Sequence, residues 1–194
     1  MQWHEITKYS PEGYHDREYT IDEWTSFYDI GKSFNGIVFT FQEYQTVERR
    51  HIDVVSQLLS ETNCHFLTIE YIEIYKDSLI HDLKKSPYNE DLLKHIKLFM
   101  KMEKGRRIHI NLLEPVMKFW LREYCYMILS NKSRHLKFEI GYDYYLNVCC
   151  DVSTSRLREI VSSNGLYLDA RGQHHTLQRH VVEPQKQICP EDIF

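Results

Sequence analysis

The sequence predicts an α+β fold, a single domain with helices packed on a mostly antiparallel sheet. Three observations predict it. Residues 135–150 (HLKFEIGYDYYLNVCC) alternate: Leu136, Phe138, Ile140, Tyr142, Tyr144, Leu146, Val148 and Cys150 fall on one parity, and mixed residues fall on the other. Successive side chains of a strand point to opposite faces, so this is strand text with one apolar face. Second, Asn35-Gly36 lies between two short β-rich runs, which is the strongest short hairpin pattern. Third, Thr40 opens a run with helical rather than strand period.

In chain order, residues 1–20 are polar and aromatic with little period and read as an extended or partly ordered lead-in. From Trp24 the text becomes two short strands around Asn35-Gly36, with Gly31 at a bulge or close backbone approach. Thr40 and Glu43 form a capping box, each side chain satisfying an N–H that the first helical turn leaves unpaired. Behind it Tyr44, Val47, His51, Val54, Val55, Leu58 and Leu59 make one apolar stripe, ended by Glu61-Thr62-Asn63; His51 on that stripe reads as a packed core histidine. Residues 64–75 divide between a short strand (Phe66, Leu67, Ile69) and a helix start (Tyr71, Ile74, Tyr75, Leu79). Residues 91–102 are amphipathic, with Leu92, Leu93, Ile96, Phe99 and Met100 on one face, and Gly105 breaks them. Asn111 and Glu114 offer another helix start, with Pro115 tolerated in the first turn, and that helix is expected to run to about Leu129. The run 135–150 is too long for an ordinary strand and is expected to bend at Gly141. Ser153 caps a helix through Val161, Asn164-Gly165 ends it, and residues 166–168 return as a strand. Residues 172–194 carry two prolines and no period, and read as a loop-rich tail.

Composition excludes several classes. With 194 residues, 42% of them hydrophobic, the chain can bury a core without disulfides or metals. Five cysteines without CxxC spacing, and no apolar leader, point to a reducing, cytoplasmic setting; no run is apolar for the ~20 residues that span a bilayer. The chain holds 14 tyrosines, 11 histidines and one alanine, Ala170. Tyrosine is enriched at protein interfaces, although a base-composition bias yields the same excess. The net charge of −4 is unevenly spread. Residues 1–30 hold seven acids against Lys8 and Arg17, whereas residues 101–137 hold nine bases against three acids. The first segment suits a basic partner, the second suits nucleic acid, and both are also what solvated faces look like.

Catalytic motifs are few. There is no P-loop, GxGxxG, GxSxG or HExxH, and the cysteine spacings fit no zinc site. No catalytic residue, metal or cofactor is therefore expected. One enzyme-like cluster stands apart: His174, His175 and His180 beside Arg171 and Arg179. Two imidazoles and a guanidinium are the groups needed for acid–base cleavage of a phosphodiester, so a small RNA-processing or nucleic-acid enzyme is the alternative reading. A plain nucleic-acid-binding module acting through residues 101–137 is a third.

The order of several islands resembles small bacterial immunity proteins, which are encoded beside polymorphic or contact-dependent growth inhibition toxins. The islands are Trp24-Thr25-Ser26, Asp29-Ile30-Gly31-Lys32, Phe34-Asn35-Gly36, Glu43-Tyr44, Val47-Glu48, Leu121-Arg122-Glu123 and Gly141-Tyr142-Asp143-Tyr144-Tyr145. The resemblance covers roughly residues 24–170, of which only these islands match. Leu146-Asn147-Val148 and the stretch from Ala170 to His175 depart from the family pattern. The resemblance implies a non-enzymatic inhibitor that binds the C-terminal domain of one cognate toxin in the cytoplasm, often a nuclease with a basic cleft, and that touches neither nucleic acid nor membrane itself. On that reading Asp22, Glu23, Asp29, Tyr142, Asp143 and Tyr145 are the expected toxin contacts, the acids meeting basic side chains and the tyrosines supplying apolar area with a polar tip.

Overall fold

Why the alternating segment bends as it does sets the whole architecture. In the computed structural model, which describes residues 2–15, 18–19, 21–141 and 144–169, the run 135–150 is a hairpin rather than one bent strand. Its arms are Leu136–Ile140 and Leu146–Cys150, paired antiparallel with Ile140 opposite Leu146. Gly141 N–H donates to the Tyr145 carbonyl at 2.8 Å and closes the loop. The loop joins arms of matching parity, so Phe138 and Val148 stay on one face, as the alternation required.

The elements, in order, are β1 (Gln2–Thr7), β2 (Tyr14–His15), β3 (Glu18–Tyr19), β4 (Ser33–Phe34), β5 (Ile37–Val38), α1 (Phe41–Glu61), β6 (Phe66–Glu73), α2 (Lys76–Lys84), α3 (Glu90–Leu93), α4 (Ile96–Phe99), β7 (Arg107–His109), α5 (Leu113–Leu121), β8 (Tyr126–Asn131), β9 (Leu136–Ile140), β10 (Leu146–Cys150), α6 (Thr154–Ser163) and β11 (Tyr167–Asp169). Seven strands form one sheet in the order β11-β1-β10-β9-β8-β6-β7, and every neighbouring pair is antiparallel. The fold is α+β.

Cross-strand register produces two unlike faces. His4, Val148, Phe138, Leu129 and Ile69 lie in one buried row across β1, β10, β9, β8 and β6. That face joins Val54, Val55 and Leu58 of α1, Val116 and Trp120 of α5, and Leu157 and Val161 of α6 in one hydrophobic cluster. The other face carries Glu5, Asn147, Glu139 and Ile128. Glu139 accepts a hydrogen bond from the Tyr126 hydroxyl at 2.5 Å, and Lys137 pairs with Glu70 at 3.1 Å. The helices thus cover one side of the sheet.

Several expectations meet corrections. Residues 2–7, read as a lead-in, are extended but lie inside the sheet, between β10 and β11. The helix expected to reach Leu129 ends at Leu121. Glu123 takes a left-handed backbone (φ 64°), which stops the helix, and Met127 and Leu129 then alternate inward on β8. The amphipathic run 91–102 forms two single turns, α3 and α4, that bury Leu92 and Phe99 and leave Met100 exposed. The divided segment 64–75 is mostly strand, irregular between Ile69 and Tyr71.

Candidate functional site

Antiparallel pairing gathers four chain reversals at one end of the sheet. Ile6 lies opposite Leu146, which lies opposite Ile140; Glu139 lies opposite Ile128; Glu73 lies opposite Tyr126. The segments that follow β1 and β6, precede β8 and join β9 to β10 therefore share this end. Onto it folds the segment between Asp22 and Phe39. Trp24 stacks on Phe39 (ring centroids 4.4 Å apart) and meets the edge of Tyr144 (5.1 Å), while Phe27 meets Tyr44 edge-on (5.1 Å). Ser26 caps the short turn Phe27–Asp29.

The residues expected to touch a partner are placed unevenly. Asp22 is exposed, and its carbonyl accepts from the Asn35 side chain at 3.0 Å. Glu23 pairs at 2.9 Å with Lys8, whose side chain is only 4% exposed and lies over the rings of Tyr9 and Trp24. Asp29 accepts from the Thr25 and Ser26 N–H groups and pairs with Lys32 at 2.7 Å. Burial pulls its carboxyl upward, but the Lys32 ammonium and the two N–H groups outweigh it, and the carboxyl sits below its ordinary value. Glu23 and Asp29 are thus occupied in building this end. Tyr145 is half-buried against Tyr9 (5.7 Å). Tyr142 and Asp143 lie outside the described residues, as do Arg171, His174, His175, Arg179, His180 and the tail 172–194.

Tyr144 sits in the middle of the loop and points inward. It is 4% exposed, adopts φ 63°, and its hydroxyl donates to the Leu121 carbonyl at 2.9 Å and meets the Tyr44 hydroxyl. His51 packs edge-on against it; its Nδ1 faces the Val47 carbonyl at 2.9 Å and so carries the proton. Burial pushes the His51 pKa down to about 4.

Beneath this end runs a buried ion network that the individual residues did not announce. Arg122, with no exposed side-chain area, grips Glu48 at 2.7 and 2.9 Å and Asp91 at 2.8 and 3.2 Å, and also donates to the Tyr88 carbonyl. Burial pushes the Glu48 carboxyl up even with Arg122 in place. Asp91 is drawn upward by burial and further downward by Arg122 and Lys118, ending below its ordinary value. The islands Glu43-Tyr44, Val47-Glu48, Leu121-Arg122-Glu123 and Tyr144 therefore meet in space as a scaffold. Among the nine bases of residues 101–137, Arg122, Lys118 and Lys137 are held in ion pairs within the fold.

Beside the network opens a groove of about 510 Å³. Tyr28, Tyr75, Tyr88 and Tyr124 line it, together with the buried Phe27 and the charged Asp82, Lys85 and Glu123. Tyr75 is 82% and Tyr28 59% exposed. Glu123 is fixed by the Ser26 hydroxyl at 2.6 Å and the Phe27 N–H at 3.3 Å, both on Oε1. The Tyr124 hydroxyl accepts from Asn89 at 2.6 Å. Burial first, and then the neighbouring Tyr124, Glu123 and Asp82, push the Tyr28 hydroxyl far above its ordinary value, so it stays protonated. This chemistry favours holding a cation over moving a proton. The sequence hid the groove because its tyrosines come from four separate segments; the one legible hint was Glu123, within an island already singled out.

Among the described residues, no group of three or more His, Cys, Asp or Glu is placed to hold a metal ion, and no helix is long and apolar enough to cross a membrane. The chain matches no family model, no curated protein and no solved structure.

Proposed function

We propose that the chain is an immunity protein that binds the C-terminal domain of a cognate bacterial toxin in the cytoplasm and blocks its active site or substrate-binding face. The observation that carries this reading is the acidic, tyrosine-rich end of the sheet, where Asp22, Asp82 and Glu123 accompany Tyr28, Tyr75, Tyr88 and Tyr145. A nuclease cleft is basic because it must hold phosphate, and an acidic surface with aromatic anchors is complementary to it. Charge raises the rate of encounter, and desolvated rings slow release. The islands that resemble immunity proteins build the support beneath this end. That division suits a family that keeps a scaffold and varies its contacts.

The test is co-expression. The protein domain encoded beside this chain is produced alone and together with it, and growth and co-purification are recorded. Toxicity relieved by this chain, with a stable complex recovered, is the expected result. A harmless neighbour, or toxicity that this chain leaves untouched, sinks the reading.

A further inference from the structure

We propose that the groove between Tyr28, Tyr75, Tyr88 and Tyr124 is the receptor for an arginine side chain of the partner, its guanidinium lying over the tyrosine rings and pairing with Glu123. This deepens the immunity reading and rests on it for the partner's identity.

The size fits: a groove of about 510 Å³ admits one long side chain and its neighbours, whereas a whole helix needs a surface about 10 Å across. The charge also fits. Asp82 and Glu123 face one ammonium, Lys85, which is already paired with Asp82 at 2.7 Å. Four tyrosines are among the lining residues, and aromatic rings attract cations through their quadrupoles; one face of Tyr88 already stacks on Phe41 at 4.3 Å. The fold meets its own cations in the same way. Arg122 lies 5.8 Å from the Phe27 ring and 5.5 Å from the Phe41 ring while Glu48 and Asp91 take its edges. Lys8 lies over Tyr9 and Trp24 while Glu23 takes its charge. The groove repeats this ring-and-carboxylate pattern at the surface.

Arginine fits better than lysine because its planar, weakly hydrated head can stack on a ring while its edge meets a carboxylate; an ammonium is compact and strongly hydrated. The receptor is also set in advance. Ser26 and Phe27 hold Glu123, and Asn89 holds Tyr124, so little ordering remains to be done on binding.

The experiment is an NMR titration of the whole chain with a blocked Gly-Arg-Gly peptide, its lysine counterpart and its neutral citrulline counterpart. The arginine peptide is expected to shift the amides of Tyr28, Tyr75, Glu123 and Tyr124. The lysine peptide should bind about threefold more weakly, and the citrulline peptide about tenfold more weakly, having lost the charge-assisted pair. Tyr75→Ala should weaken the arginine peptide by about threefold; with 82% of Tyr75 exposed, that variant keeps the fold. Glu123→Gln should weaken it further, with the amide spectrum reporting whether the Ser26 turn survives. Shifts elsewhere, equal binding of the citrulline peptide, or an affinity that Tyr75→Ala leaves unchanged overturns the proposal. The two readings fail separately. Arginine binding as described, beside a neighbouring domain that is harmless and does not associate, supports the receptor and sinks the immunity reading. A stable toxin complex whose affinity ignores both substitutions supports immunity and sinks the receptor.

Discussion

At the residue scale, the buried charges carry the sharpest consequences. Removing Arg122 leaves Glu48 without its counter-charge in the core, and Arg122→Met is expected to cost about 3–5 kcal/mol in urea unfolding. The double variant Arg122→Met with Glu48→Met should recover a large part of that loss, because the charge stranded by the first change is gone. No recovery would mean that the network is not the unit described. His51 makes a second prediction. Its folded pKa lies near 4, below the ordinary 6.5, so between those values the unfolded chain binds more protons. The stability that depends on a neutral His51 is therefore fully present above about pH 6.5 and declines as the pH falls toward 4, by on the order of 3 kcal/mol for a fully buried imidazole. His4, also lowered by burial, acts in the same direction. Urea midpoints at pH 7 and pH 4.5 measure the decline, and His51→Leu should flatten it; an unchanged slope removes His51 as its source. His51 was legible in the sequence because it occupies a position of the apolar stripe. Glu48 and Arg122 were not, since neither polarity nor spacing announces that residues so far apart share a buried site.

At the element scale, local chemistry marked both ends of α1 and α6 but missed α5 at both ends: its N-cap is Leu112, without a side-chain cap, rather than Asn111, and it stops at Leu121. The capping box of α1 is present as read, with Glu43 N–H donating to the Thr40 hydroxyl at 3.3 Å and Thr40 N–H donating to Glu43 at 2.8 Å. Thr40→Ala should cost about 1 kcal/mol in the same unfolding measurement, and no loss would show that packing alone fixes the helix start. Asn35-Gly36 turns β4 into β5 with both residues at positive φ (49° and 79°), as the dipeptide required. The later misread boundary lies between α5 and β8. Trp120, Tyr124, Met127 and Ile128 keep a passable helical spacing, and residues 122–125, with Glu123 in the left-handed region, separate the two elements. Glutamate gives no warning of such a conformation, whereas glycine would have done so. The division of residues 135–150 into two arms was concealed for a related reason. The loop preserves parity, so hairpin and single strand have the same pattern.

At the scale of the whole molecule, the end of the sheet that carries Asp22, Asp82 and Glu123 should govern association. Charge reversal at Asp22 together with Glu123 is expected to slow capture of a basic partner about tenfold at low salt, with the effect shrinking as salt is added. Stopped-flow association rates measure this, and rates insensitive to salt would place the contact elsewhere. The α+β class was legible from period and turn chemistry. The place of β1 was not, because its partners Asn147, Val148 and Cys149 lie near the other limit of the described chain and nothing local names them. That placement governs the order of assembly during synthesis. Of the described strands β1 is made first, yet its neighbours in the sheet, β10 and β11, are the last two to be made. Until they emerge it has no pairing partner, and β10 in turn shows an open edge until β1 returns to it. Among the described strands, the first made is therefore among the last to settle. The nascent chain therefore depends on whatever keeps two unpaired edges apart in the meantime, and a fusion that ties down the start of β1 would delay closure of the sheet without touching a single contact in the finished fold.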